Sequence, residues 1–144
     1  TPLYSSAASD VYKRQTKSKP ELRGRSMRNP GRLARAGVEI SIITDHPVVP
    51  IDFLVYQAAL SVKEGLDRET ALRAITLHPA RVLGLDDRIG SLEVGKDADL
   101  VLWSGDPLDV MQRALRVWIG GRQVMEYDLA TARPVVVSAR PVED

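Results

Sequence analysis

Four consecutive residues, Thr44-Asp45-His46-Pro47, carry the side chains of this sequence best placed to do chemistry. They close Val38-Glu39-Ile40-Ser41-Ile42-Ile43-Thr44, a short β-branched run bounded by Gly37 and Pro47 that reads as a buried strand. In parallel α/β folds, open or closed, ligands gather at the carboxyl ends of strands. Alternation along the strand puts Ser41, Ile43 and Asp45 on one face and Val38, Ile40, Ile42 and Thr44 on the other. A carboxylate at that point, on the same face as the small Ser41, would project into the mouth of a site. There it could ligate a metal, shuttle a proton, or do both. The local sequence also allows a plainer role, because an Asp before His-Pro is commonly a turn former or a helix cap. His46 could orient Asp45 or meet a substrate, or it could end the turn at the solvent edge. Thr44 is expected to pack.

The elements that must position these residues follow from local signals. Asn29 can cap a short helix with Pro30 at its first position, Leu33 and Ala36 on one face, and Gly37 as its stop. Helix, glycine and buried strand make the tail of an α/β repeat, whose natural context is a parallel sheet. Ile51, Leu54, Val55, Ala58, Ala59 and Val62 then form one stripe of a helix ended by Gly65, expected to be core. Asp67 caps the next helix, which runs to about Leu77, with Leu66 and Ala71 bracketing the cap as a hydrophobic staple. His78 to Gly84 reads as a further short helix, capped by His78, with Pro79 first and Gly84 just past the end. Beyond Asp86 the pattern changes to short strands and turns. Ala98 to Trp103 is expected to be a strand buried on both faces, Arg116 to Met125 a hairpin turning at Gly120-Gly121, and Pro134 to Val137 an edge strand. Asp97 and Asp99 are expected to bond local backbone, and the glycines of this half form no phosphate loop.

Length and composition bound the function. The chain has 144 residues, too few for a complete (β/α)8 barrel of about 250. With 20 Lys and Arg against 19 Asp and Glu, it lacks the basic surplus that capture of nucleic acid or of an anionic membrane calls for. No cysteine is present, which removes disulfides, thiol nucleophiles and Cys-ligated zinc together. No apolar run reaches the roughly 18 residues needed to span a bilayer, and the N-terminus, beginning at Thr1, lacks the apolar stretch of a secretory signal. A cytoplasmic protein is expected. Residues 1–16 are polar, small and aperiodic, and are expected to be a disordered, non-native tail. Residues 17–28 are basic and suggest an exposed loop.

Four stretches together carry a family resemblance: Ile42 to Pro47, Ala74 to Leu85, Gly90 to Val101, and Val117 to Val124. In this order and at these separations they resemble the C-terminal part of a metal-dependent amidohydrolase of the imidazolonepropionase-like group, over roughly residues 29–128. The resemblance implies an α/β fold. Residues 17–86 would be the C-terminal remnant of a (β/α)8 barrel, and residues 87–144 a small β domain, an incomplete composite β-sandwich finished by strands from the protein's N-terminal end. It implies that Asp45, at the end of the last strand, touches the catalytic divalent metal or its bound water and relays a proton to the leaving amine. Lys19, Glu21, Arg23 and Arg25 would lie on a loop at the catalytic mouth, unless they are an ordinary solvated charge run.

The resemblance implies hydrolysis of carbon–nitrogen bonds other than peptide bonds, in a cyclic amide or amidine, with zinc as the metal. The family's histidines from earlier strands are not in this sequence, and Asp45 with one adjacent His cannot supply three or four oriented ligands. The chain alone is therefore expected to be metal-free and inactive. At the place of His78 the family motif usually has Asn, which fits a capping role. The expected partners are a small-molecule substrate and, through apolar surface left uncovered, other copies of the chain. A second reading is a non-catalytic α/β plus β domain serving scaffolding or association.

Overall fold

The computed structural model of the chain describes residues 26–137. The expectations for residues 1–16 and for Lys19, Glu21, Arg23 and Arg25 lie outside the described residues. The described residues form two compact units, divided between Ser91 and Leu92. Arg88 and Ile89 N–H both bond the Leu85 carbonyl, and a side chain on Gly90 would meet Leu77 and Ala80 of the preceding helix at 2.9 Å.

The first unit is built from helices around one extended segment. Helix α1 spans Asn29–Arg35, α2 Leu54–Lys63 behind a 3-10 turn at Ile51–Phe53, α3 Arg68–Arg73 and α4 Leu77–Leu83. Asn29 is the first helical residue and not the cap; Arg28 holds the cap position, with Pro30 in the first turn. Gly37 (φ 79°) makes the reversal into the extended segment. The segment from Val38 to Thr44 buries Ile40, Ile42 and Thr44, as alternation requires, but among the described residues it is not a paired strand. A ladder needs a neighbouring strand, and in its place the Ile42 N–H donates to the Ala74 carbonyl at the α3–α4 junction (2.9 Å).

The helical stripe is rotated from the expected one. Gln57, Ala58 and Ser61 are the buried residues of α2, while Ile51 is 69% exposed. Small side chains line the close approach of the inner faces, where Ala58, Ala71 and Ala74 are fully buried. Ser61 bonds the Gln57 carbonyl one turn back (2.9 Å). The Asp67 cap forms as read, accepting from the Thr70 N–H (2.9 Å) and hydroxyl (3.1 Å), with Leu66 and Ala71 buried beside it. The helix it starts ends at Arg73 instead of Leu77. Thr76 turns the chain, and its hydroxyl bonds the Leu72 carbonyl.

The second unit is a four-stranded antiparallel meander in the order β1-β2-β3-β4, with β1 Leu100–Trp103, β2 Ala114–Ile119, β3 Arg122–Asp128 and β4 Arg133–Val136. Gly120 (φ 56°) and Gly121 (φ 76°) supply the two positive φ values that a tight β2–β3 turn requires. The Asp99 carboxylate accepts from the Gly120 N–H (2.7 Å), so this acidic residue serves the turn. β1 is not buried on both faces: it is an edge strand, and Val101 and Leu102 are 45% and 47% exposed. β4 forms the opposite edge and is exposed throughout.

Candidate active site

Asp45 sits where the extended segment ends and the chain turns. Its backbone is left-handed (φ 54°), a conformation that an L-residue adopts at a penalty of about 1 kcal/mol. The turn is closed by the main chain, the Val48 N–H donating to the Asp45 carbonyl (2.8 Å). Its carboxylate is exposed and, among the described residues, has no hydrogen-bond or ion-pair partner. Neither the Asx-turn nor the helix-cap bond that a plainer role would use is made there. Ser41 is buried at the far end of the same face, Ile43 between them is 41% exposed, and the face opens progressively towards Asp45. His46 is exposed next to it, and Thr44 packs inward.

Among the described residues no three His, Cys, Asp or Glu side chains converge on a point that could hold a metal ion. A catalytic zinc needs three protein ligands and an open position, so Asp45 and His46 by themselves do not fit one. The groove of about 390 Å³ where α1 meets the α2–α3 turn, lined by Gly31, Arg35, Gly65 and Asp67 among others, includes neither residue.

His78 does not cap α4. It lies inside the helix, 7% exposed, with Nδ1 2.9 Å from the Ile40 carbonyl oxygen. A carbonyl only accepts, so Nδ1 carries the proton of this bond. Its Nε2 lies 3.7 Å from Glu39 Oε2, and the same oxygen accepts from Arg81 Nη1 (2.6 Å), whose Nε lies 3.8 Å from Asp86. The His78–Glu39–Arg81 group was missed in the sequence because Glu39 lies about forty residues from the other two. The available hint was that histidine stands where an ordinary cap would be Asn.

The profile of the amidohydrolase family matches residues 12–125. The chain belongs to the amidohydrolase family, a family of hydrolases built on the TIM barrel. It is 40% identical to the imidazolonepropionase of Pseudomonas aeruginosa over 95 residues, 62% of this chain and 22% of that protein. An amidohydrolase from Thermotoga maritima, 38% identical, matches it in three dimensions with a TM-score of 0.73 over 84% of this chain and 35% of its own. An adenosine deaminase from Xanthomonas campestris with bound zinc, 30% identical, gives a TM-score of 0.57 over 84% of this chain and 31% of its own. The chain thus spans 22–35% of the length of these proteins. Among the described residues no helix is long and apolar enough to cross a membrane.

Proposed function

We propose that this chain is the C-terminal part of a metal-dependent hydrolase of non-peptide carbon–nitrogen bonds, acting on a cyclic amide or amidine, and that Asp45 is the catalytic carboxylate it contributes. The observation that carries the reading is the carboxylate of Asp45, exposed and without a partner among the described residues, at the end of a segment whose opposite face is buried. Residues up to about 86 would belong to the end of the barrel. The later residues would be a small β domain completed by strands from the N-terminal end. Segments outside this sequence would supply the remaining ligands, and the chain alone would be inactive.

When bound, a divalent ion supplies Lewis acidity and a water acidic enough to attack near neutral pH. Zinc is favoured by the zinc-bound deaminase among the structural neighbours. Asp45 would take a proton at a carboxylate oxygen as water attacks the carbon, and return it to the leaving amine. His46, exposed beside it, would orient that carboxylate or meet the substrate. A small-molecule substrate and a cytoplasmic setting fit a chain with near-balanced charge and no cysteine.

A second reading, an association module, is favoured by the apolar residues that the sheet leaves open, Val101, Leu102 and Val136 among them. Recovering the complete reading frame separates the two. Its product should contain stoichiometric metal and open cyclic amides or amidines faster than it cleaves dipeptides. A native start near Lys17, or a metal-free product inert to all of these, would overturn the enzyme reading. Preference for dipeptides would overturn the bond specificity alone.

A further inference from the structure

We propose that His78 is a positioning residue for Asp45, setting the height of the extended segment against α4 through its bond to the Ile40 carbonyl. The catalytic sense of this role rests on the reading of Asp45 given above; the bond and its test do not. Among the described residues the main chain from Glu39 to Thr44 is tied down at two points, Ile42 N–H to Ala74 O and Ile40 O to His78 Nδ1, both 2.9 Å. Both lead to the α3–α4 region, and both lie within five residues of Asp45. The two bonds alternate in direction, one taking up a segment donor and the other a segment acceptor two residues away. Together they replace one rung of a ladder with partners from the α3–α4 region.

The choice of histidine has a physical reason. Its Nδ1, at the same remove from the main chain as an Asn amide nitrogen, reaches the segment from inside α4, while Nε2 extends further towards Glu39, and burial to 7% leaves the ring few alternative partners. Its second nitrogen faces Glu39, which Arg81 of the same helix also holds, so the segment is gripped at two consecutive residues, by its main chain at Ile40 and by its side chain at Glu39. A purely space-filling residue would need neither nitrogen placed in this way.

The test uses the 144-residue chain and nitrogen-resolved NMR. In the wild type, neutral His78 should carry its proton on Nδ1. His78→Phe keeps a ring without a donor; it should speed exchange of the Ile42 amide about tenfold, the loss expected for one net hydrogen bond. It should also displace the Asp45 amide resonance while leaving the α2 amides in place. His78→Asn restores a short donor and should return both readouts most of the way. A proton on Nε2 in the wild type would overturn the proposal. So would His78→Phe that leaves Ile42 and Asp45 unchanged, or that loosens the whole unit uniformly without rescue by Asn. If the Phe variant does not fold, the wild-type tautomer and the Asn variant still decide. Absence of hydrolysis by the complete protein would remove the enzyme reading and leave these readouts standing, so the two failures are distinguishable.

Discussion

The two units are incomplete in opposite ways. The first buries its side chains well: Ile40, Ile42, Ala58, Ala71 and Ala74 are nearly inaccessible, yet its central extended segment has no strand beside it among the described residues. The second pairs its backbone well, four strands each bonded to the next in sequence, yet Leu108 is its one buried hydrophobic residue among those described. The contrast separates two requirements that are often fused. An antiparallel meander satisfies its main-chain groups through short turns, with contacts local in sequence. A parallel strand cannot, because its partners arrive by long crossovers. Helices supply their own backbone bonds, so the first unit can close a core even while its strand remains open.

The sharpest break of this contrast falls at the strand end. In the complete enzyme Asp45→Asn should lower turnover by about 10²–10⁴-fold, the range for a positioned proton-transfer group. In the 144-residue chain the unfolding midpoint should barely move, because among the described residues the carboxylate has no partner to lose. Near-normal turnover in steady-state assays would remove Asp45 from the mechanism. Next come the side chains. Ile42→Ala should destabilise the helical unit by about 2–5 kcal/mol, whereas Val101→Ala in the open sheet should change stability by about 0.5 kcal/mol or less. Both tryptophans, Trp103 and Trp118, lie in the sheet unit, so their fluorescence follows that unit while helical circular dichroism follows the other. Equal losses would show that the two regions do not differ as described.

Gly31→Ala should weaken the helical unit by about 1–3 kcal/mol, the usual range for overpacking, since the added carbon would sit 2.7 Å from the Gly65 carbonyl oxygen. Tolerance of alanine in a denaturant titration would mean that α1 can move away from that turn. The smallest effect is acid lability. Asp67 is held below the usual carboxylate range by the Thr70 N–H and then by its hydroxyl. Asp109 is lowered by the Met111 N–H and the Gln112 side chain, and Asp128 by the Thr131 hydroxyl and the Ala130 N–H. A carboxyl lowered by folding contributes stability above its unfolded value and loses it as pH falls through its folded value, here below about pH 4. Melting followed between pH 2 and 6 should fall in both units. Asp67→Asn should flatten the helical unit's response and leave that of the sheet.

Much of this was legible in the sequence. The Asp67 cap, the Gly120-Gly121 turn, the Gly84 helix stop and the burial of Ile40 and Ile42 each follow from signals within a few residues. The candidate site was legible as a position, Asp45 after a β-branched run. The misreadings share one cause. The buried stripe of α2, the open faces of β1, the unpaired segment and the inward turn of His78 all depend on what lies across from them. Local order was written residue by residue because caps, turns and alternation act over a few bonds. Which faces were covered, and which ring nitrogen reached which carbonyl some forty residues away, was settled only when distant segments packed. Burial and long-range hydrogen bonding are properties of pairs of surfaces, and one stretch of sequence describes only one of them.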